Sequence, residues 1–158
     1  MDDAINTTAE TPELDSVARQ IDIDAPPDRV WDLVVRPGWY VNDGTVVAEP
    51  ELRQEGEVTI VVDPELGESR FRTVRLDKPR YAAFRWLHAP YPEASEGTLV
   101  EFWVDERADG GVTLRVLESG FSRLSEDTAV WLEEREDHDR GWMQELAAAK
   151  AYLEAGGS

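Results

Sequence analysis

Residues 141–155 read GWMQELAAAKAYLEA, and this stretch has the residue pattern of an amphipathic helix. Its apolar side chains recur at intervals of four, three and four residues: Trp142, Leu146, Ala149 and Leu153. That spacing places them on one face of an α-helix. The same spacing, continued towards the N-terminus, adds three side chains to this face: Trp131, Arg135 and His138. The sequence therefore predicts a long C-terminal helix with one face turned towards a core.

Both ends of this helix carry the residues that helix termini favour. Ser125 is the predicted N-cap, and Glu126 and Asp127 place negative charge in the first turn, where the helix dipole stabilises it. Gly156 and Gly157 favour termination. A continuous helix between these signals has about 28 residues and a length of roughly 42 Å.

The chain before this helix shows the alternation of half-buried strands. Val17, Ile21 and Ile23 alternate with polar residues in the first predicted strand. Six more strands are predicted at 45–48, 57–62, 69–76, 81–88, 98–106 and 112–119. A short helix is predicted around 30–34, and residues 39–44 are expected to form a second short helix or an irregular turn.

These elements predict an α+β domain with one antiparallel sheet. The apolar face of such a sheet must be covered, and the long helix is the element available to cover it. A strongly curved sheet wrapped around one helix tends to leave a space between the two, and that space is the predicted pocket.

Length and composition limit the possible functions. The chain has 158 residues, enough for one domain with a core of its own, and we expect a mobile tail at 1–15 and a single domain at 16–156. It has no cysteine, which excludes disulfides, thiolate catalysis and zinc sites built on sulfur. A formal charge of −18 disfavours nucleic acid and anionic membranes as partners. No targeting segment or membrane span is visible, so the expected location is the cytoplasm.

Three motifs resemble one known superfamily. Residues 21–31, IDIDAPPDRVW, resemble the opening of the START-related superfamily, in which a first strand runs into an Ala-Pro motif and then Val-Trp. Residues 118–121, ESGF, and residues 141–146, GWMQEL, are similar to the last strand and the C-terminal helix of one branch. That branch is the family of homologs of the activator of the heat-shock-protein-90 ATPase.

The resemblance covers about residues 17–155 and implies a helix-grip fold. In this fold a curved antiparallel sheet of about seven strands wraps around a long C-terminal helix, and two short helices follow the first strand. The resemblance also implies a cavity that in many relatives holds lipids, polyketides, hormones or other apolar molecules. It implies no shared catalytic residue, and fold analogy alone does not establish chemistry.

Aromatic side chains are the main candidates for the ligand site. They come from the short-helix region, the sheet and the long helix, which surround the expected cavity: Trp39, Phe71, Phe84, Trp86, Phe102, Trp131 and Trp142. Aromatic walls bind flat apolar ligands well. The alternative is that these rings simply fill the core.

Two histidines and one arginine complete the candidate set. His88 shares a predicted strand face with Phe84 and Trp86, while Arg135 and His138 lie on the inner face of the long helix. A histidine can serve as a general base or as a hydrogen-bonding group for a ligand, and an inward arginine can anchor an acidic group. Neither histidine lies in a metal-binding pattern, so no metal and no cofactor are predicted.

The leading hypothesis is a module that binds a hydrophobic small molecule, either lipid-like or aromatic and polyketide-like, for sequestration, transport or sensing. The first alternative is a cyclase- or aromatase-type enzyme that uses the same cavity, with His88, His138 and Arg135 as its polar groups. The second is a module that binds a protein partner, such as a chaperone cofactor. We expect a monomer or a weak homodimer.

Overall fold

A computed structural model describes residues 15–87 and 97–155. Residues 1–14 of the tail predicted at 1–15, and the predicted site residue His88, lie outside the described residues. Strand β1 (Ser16–Ile23) is followed by helix α1 (Pro27–Val34), and six strands come next. They are β2 (Glu51–Glu55), β3 (Val58–Asp63), β4 (Gly67–Asp77), β5 (Tyr81–Leu87), β6 (Thr98–Glu106) and β7 (Val112–Ser119). A short 3-10 helix (Phe121–Arg123) then leads into helix α2 (Thr128–Ala155).

All seven strands form one antiparallel sheet in the order β1-β7-β6-β5-β4-β3-β2. The chain meanders from β2 to β7. The last strand, β7, also pairs with the first strand, β1, and Val17 of β1 lies opposite Glu118 of β7. The seven-stranded sheet and the long C-terminal helix confirm the helix-grip α+β fold.

Helix α2 is joined to edge strand β1 by polar contacts along its length. Arg19 makes a bidentate ion pair with Asp139, with distances of 2.7 and 2.9 Å. Lys150 Nζ donates to the carbonyl oxygen of Asp22 at 3.1 Å, and Glu154 accepts from the backbone N–H of Asp24 at 2.9 Å. These contacts set the position of the helix against the sheet.

The region between α1 and β2 differs in part from the sequence prediction. Residues 35–50 form turns and bends, so the irregular turn is the correct one of the two alternatives expected at 39–44. There is no strand at 45–48, and β2 begins only at Glu51. Helix α1 has already ended at Val34, and Gly38 lies in the turns that follow it with a φ of +69°, a conformation that glycine adopts readily. The side chain of Asn42 holds the following turn, because it donates to the Trp39 carbonyl and accepts from the Gly44 N–H.

The predicted helix cap is also displaced. Helix α2 has 28 residues, the predicted length, but it begins at Thr128. Asp127, rather than Ser125, precedes the first helical residue, and its Oδ1 accepts from the backbone N–H of Ala129 at 3.0 Å. Ser125 instead accepts from the backbone N–H of Asp127.

Candidate functional site

A fully buried carboxylate on strand β7 adjoins the candidate site. Glu118 occupies the last buried position of the period-two pattern in β7, and none of its side chain is exposed. Its Oε2 accepts from Thr98 Oγ1 of the neighbouring strand at 2.5 Å. Its Oε1 accepts from Trp142 Nε1 of α2 at 2.8 Å. Because an isolated buried charge is very costly, these donors are part of what allows Glu118 to lie there.

The strongest partner of Glu118 is His138. The imidazole Nδ1 lies 2.8 Å from Oε1 of Glu118, and Nε2 lies 3.5 Å from Oε2 of Glu134, one helical turn away. The ring packs beside Trp86 with a centroid distance of 4.9 Å and meets the edge of Phe121 at 5.2 Å. His138 is therefore held by carboxylates at both nitrogens and by aromatic rings around it.

The two groups set each other's charge. Burial opposes ionisation of Glu118, but the charge of His138 and the hydrogen bonds from His138, Thr98 and Trp142 outweigh it, so the pKa of Glu118 lies below its ordinary value. Burial likewise lowers the pKa of His138, but the charges and hydrogen bonds of Glu118 and Glu134 raise it to about 10. At neutral pH His138 is thus an imidazolium, which can donate but cannot act as a general base.

An open cleft lies beside this ion pair. Its volume is about 430 Å³, and it lies between the middle of α2, strands β4 and β5, and the turns that follow α1. It is lined by Tyr40, Val41, Asn42, Leu66, Ser69, Trp86, Asp137, His138, Gly141, Trp142, Gln144 and Glu145. Aromatic and aliphatic side chains lie beside carboxyl, amide and imidazole groups in this lining.

Tyr40 contacts both of the tryptophans that line the cleft. Its ring centroid lies 4.7 Å from that of Trp142 and 5.2 Å from that of Trp86. The Tyr40 hydroxyl is buried and has no hydrogen-bond partner among the described residues. Burial and the charge of Glu118 raise the pKa of this hydroxyl well above its ordinary value, so it stays protonated.

Glu145 is a second buried carboxyl group and lines the cleft. The residue is 6% exposed, and its Oε1 has no hydrogen-bond partner within the part of the chain that the structure describes. Gln144 Nε2 donates to the other oxygen at a long 3.3 Å. Burial raises the pKa of Glu145 to about 7, and nearby Asp43 adds to the rise, whereas polar groups of Gln144, Asn42 and Gly44 oppose it.

The structure brings three of the predicted ligand-binding residues to the cleft: Trp86, His138 and Trp142. Four others are buried in the core between sheet and helix: Trp39, Phe71, Phe84 and Phe102. Trp131 is partly buried against that core, and Nε of Arg135 donates to the carbonyl oxygen of Ser16 at 2.8 Å. Neither Trp131 nor Arg135 is among the residues that line the cleft.

Three important side chains were not among the sequence-predicted site residues: Tyr40, Glu118 and Glu145. Two of them carry a signal that could have been used. Glu118 continues the alternation of Val112, Leu114 and Val116, which places it on the buried face of β7. Glu145 follows Trp142 by three residues and precedes Ala149 by four, so it shares the inner face of α2. Tyr40 lies in an irregular turn, where no periodicity applies.

Two other hollows of the surface are larger than the cleft. One of about 710 Å³ lies between the β4–β5 turn, at Pro79 and Arg80, and the end of β6, and no aromatic side chain lines it. One of about 450 Å³ lies on the outer face of the sheet and has a single aromatic ring, that of Trp103, in its lining. Within the described ranges, no group of three or more potential ligand side chains is placed to hold a metal ion. None of the described helices is both long enough and apolar enough to span a bilayer.

Comparison with solved structures gives the class of protein, a helix-grip domain. The Aha1 dimer from Colwellia psychrerythraea superimposes with a TM-score of 0.63 and 18% sequence identity, over 90% of this chain and 98% of that one. CalU16 from Micromonospora echinospora gives 0.59 and 18%, over 87% and 73% of the two chains. DynU16, from the dynemicin biosynthetic locus, gives 0.64 and 21%, over 90% of this chain and 48% of its own.

At these identities the likeness establishes the fold and leaves the activity open. No family model matches the sequence, and no curated protein matches it.

Proposed function

We propose that this protein binds a flat hydrophobic small molecule in the cleft beside α2, for sequestration, transport or sensing. The observation that carries the proposal is the cleft of about 430 Å³ with the rings of Tyr40, Trp86 and Trp142 in its lining. Small-molecule sites commonly have volumes of about 300–1,000 Å³, mostly apolar walls and a few polar groups. The cleft has both kinds of lining.

The experiment is a tryptophan-fluorescence titration against a panel of flat apolar compounds that includes aromatic polyketides. We expect saturable quenching for at least one compound, and we expect Trp86→Ala to weaken that binding by tenfold or more. Trp103→Ala is the matched control, because this substitution also removes one indole. Trp103 lies on the opposite face of the sheet, against Arg115. Equal weakening by both variants, or no saturable response, would count against the proposal and favour a protein partner.

A cyclase- or aromatase-type enzyme is the second candidate function. The position and the raised pKa of the Glu145 carboxyl group favour it. A carboxyl group that titrates near neutrality and lines a cleft suits proton transfer to or from a substrate. The similarity in fold to DynU16, a protein of the dynemicin biosynthetic locus, supports a role of this kind. Incubation of a bound compound followed by mass spectrometry separates the two candidates: an unchanged mass supports binding alone, and a loss of water indicates chemistry.

A further inference from the structure

Glu145 is the acidic side chain of the cleft lining that has no cationic partner among the described residues. The other ionisable acidic and basic side chains in the lining are Asp137 and His138. The charge of His138 is compensated by Glu118 at 2.8 Å and by Glu134 at 3.5 Å, and Asp137 forms an ion pair with Arg140. The described lining contains no lysine and no arginine, so the charge that a bound ligand meets is that of ionised Glu145.

Glu145 lines the same cleft as His138 but lies further towards the C-terminus of α2. Seven residues separate it from His138 along α2, which corresponds to about 10 Å along the helix axis. Its Oε1 is buried and lacks a partner in the described part of the chain, although a buried acceptor normally finds a donor. Asp43 lies close enough to disfavour ionisation further. A donor supplied by a ligand would satisfy this oxygen.

The aromatic residues around Glu145 suit the same kind of ligand. Trp142 precedes it by three residues on α2, and Tyr40 packs on Trp142 with centroids 4.7 Å apart. Cations are attracted to the faces of such rings, most strongly when water is excluded. The Tyr40 hydroxyl is a second buried polar atom without a partner among the described residues, and its oxygen can accept a hydrogen bond.

We propose that the cleft selects a planar aromatic molecule that bears an amine, whose ammonium N–H donates to the carboxylate of Glu145, and that it rejects the corresponding carboxylate. This inference rests on the proposed function, since it names the chemical class of ligand for the same cleft.

The selectivity should depend on pH. A carboxylate accepts a stronger hydrogen bond from an ammonium group than a neutral carboxylic acid does. Glu145 has a pKa of about 7, so affinity for an amine should rise as pH increases through that value. Asp43, on the turns after α1, is the titratable side chain that raises the pKa of Glu145, and the other titratable side chains in the cleft lining are Tyr40, Asp137 and His138. His138 keeps its charge across this range, because its pKa is about 10.

The test compares three probes that share one ring system: naphthylmethylamine, methylnaphthalene and naphthoate. Isothermal titration calorimetry measures their dissociation constants at pH about 8 and pH about 5.5. At the higher pH the amine should bind about tenfold or more tightly than methylnaphthalene, and naphthoate about tenfold or more weakly. At the lower pH the advantage of the amine should shrink severalfold.

Two variants locate the effect. In Glu145→Gln the amine and methylnaphthalene should bind with similar affinity, and their ratio should not change with pH. Glu133→Gln removes an exposed charge from the same helix and should keep the ratio of the unmodified chain. Because the probe ranking and its pH dependence are measured on the unmodified chain as well, the proposal is testable even if Glu145→Gln folds poorly.

Each result has one meaning. If methylnaphthalene binds but the amine has no advantage, or if the advantage persists in Glu145→Gln, the amine selectivity is wrong while the ligand-binding function stands. If none of the three probes binds, the result counts against both the selectivity and the cleft as a site for flat aromatic ligands.

Discussion

Nδ1 of His138 lies 2.8 Å from Oε1 of Glu118, and this contact joins the middle of the long helix to the last strand of the sheet. Glu118 has no exposed side-chain surface and His138 has 14%. Desolvation of a carboxylate and an imidazolium costs several kcal/mol for each group, and excellent geometry is needed to offset it. Thr98 and Trp142 also donate hydrogen bonds to Glu118, and these two bonds supply part of that geometry.

Removing the charge of Glu118 should destabilise the fold strongly. In Glu118→Gln the imidazolium of His138 loses its buried counter-ion, and breaking such a pair from one side costs about 3–5 kcal/mol. Urea denaturation measures the loss. Asp105→Asn is the control, because it breaks the half-exposed ion pair with Arg115, where about 0–1 kcal/mol is expected. Similar losses of unfolding free energy in both variants would mean that the buried pair stabilises the fold no more than an exposed pair does.

The pH dependence of stability should report His138 directly. Its folded pKa of about 10 is above the ordinary 6.5, so the native state binds the proton more tightly than the unfolded state. The stabilisation is therefore complete below pH 6.5 and is lost as pH rises through about 10. The difference in unfolding free energy between the unmodified chain and His138→Gln should shrink over this window. A difference in unfolding free energy that stays constant with pH would contradict the raised pKa of His138 in the native state.

Glu145 should lower the stability in the same direction, with rising pH, but in a lower pH window. Its folded pKa of about 7 is above the ordinary 4.5, so the native state binds the proton of Glu145 more tightly than the unfolded state does. The unmodified chain therefore loses stability between pH 4.5 and about 7, whereas Glu145→Gln does not. Urea denaturation across this range should show a gain for the variant that grows with pH. If Glu133→Gln gives the same gain, its source is net charge rather than the burial of Glu145.

Gly38 should resist substitution for a steric reason beyond its backbone conformation. With φ at +69°, a Cβ atom at this position would lie 2.6 Å from Cε2 of Phe71 and 2.7 Å from Cγ2 of Val61. Gly56 has a similar φ of +62°, with nothing within 4 Å of the corresponding position. Gly56→Ala should cost about 1–2 kcal/mol through backbone strain alone. Gly38→Ala should cost about 1–3 kcal/mol more, because the core must shift. Equal losses in thermal or urea unfolding would refute the steric contribution.

The sequence contains the periodic part of this structure. The alternation in β1 and β7 and the helical spacing from Trp142 to Leu153 depend only on local backbone geometry, which repeats every 2 or 3.6 residues. They predicted the strands, the long helix and its inner face, and six of the seven predicted strands overlap those in the structure. The segment 35–50 was predicted less well, because its turns depend on the close approach of Gly38 to Phe71 and on hydrogen bonds of the Asn42 side chain.

The contacts of the candidate site could not be predicted from local sequence patterns alone. The helical spacing placed His138 and Trp142 on the inner face of α2, but the distance of either residue from Glu118 depends on strand register and on how the helix lies across the sheet. The tertiary structure alone decided that Trp39, Phe84 and Phe102 fill the core while Trp86 lines the cleft. It also decided that Glu145 is buried with one oxygen unpaired, because burial is set by packing between elements distant in sequence.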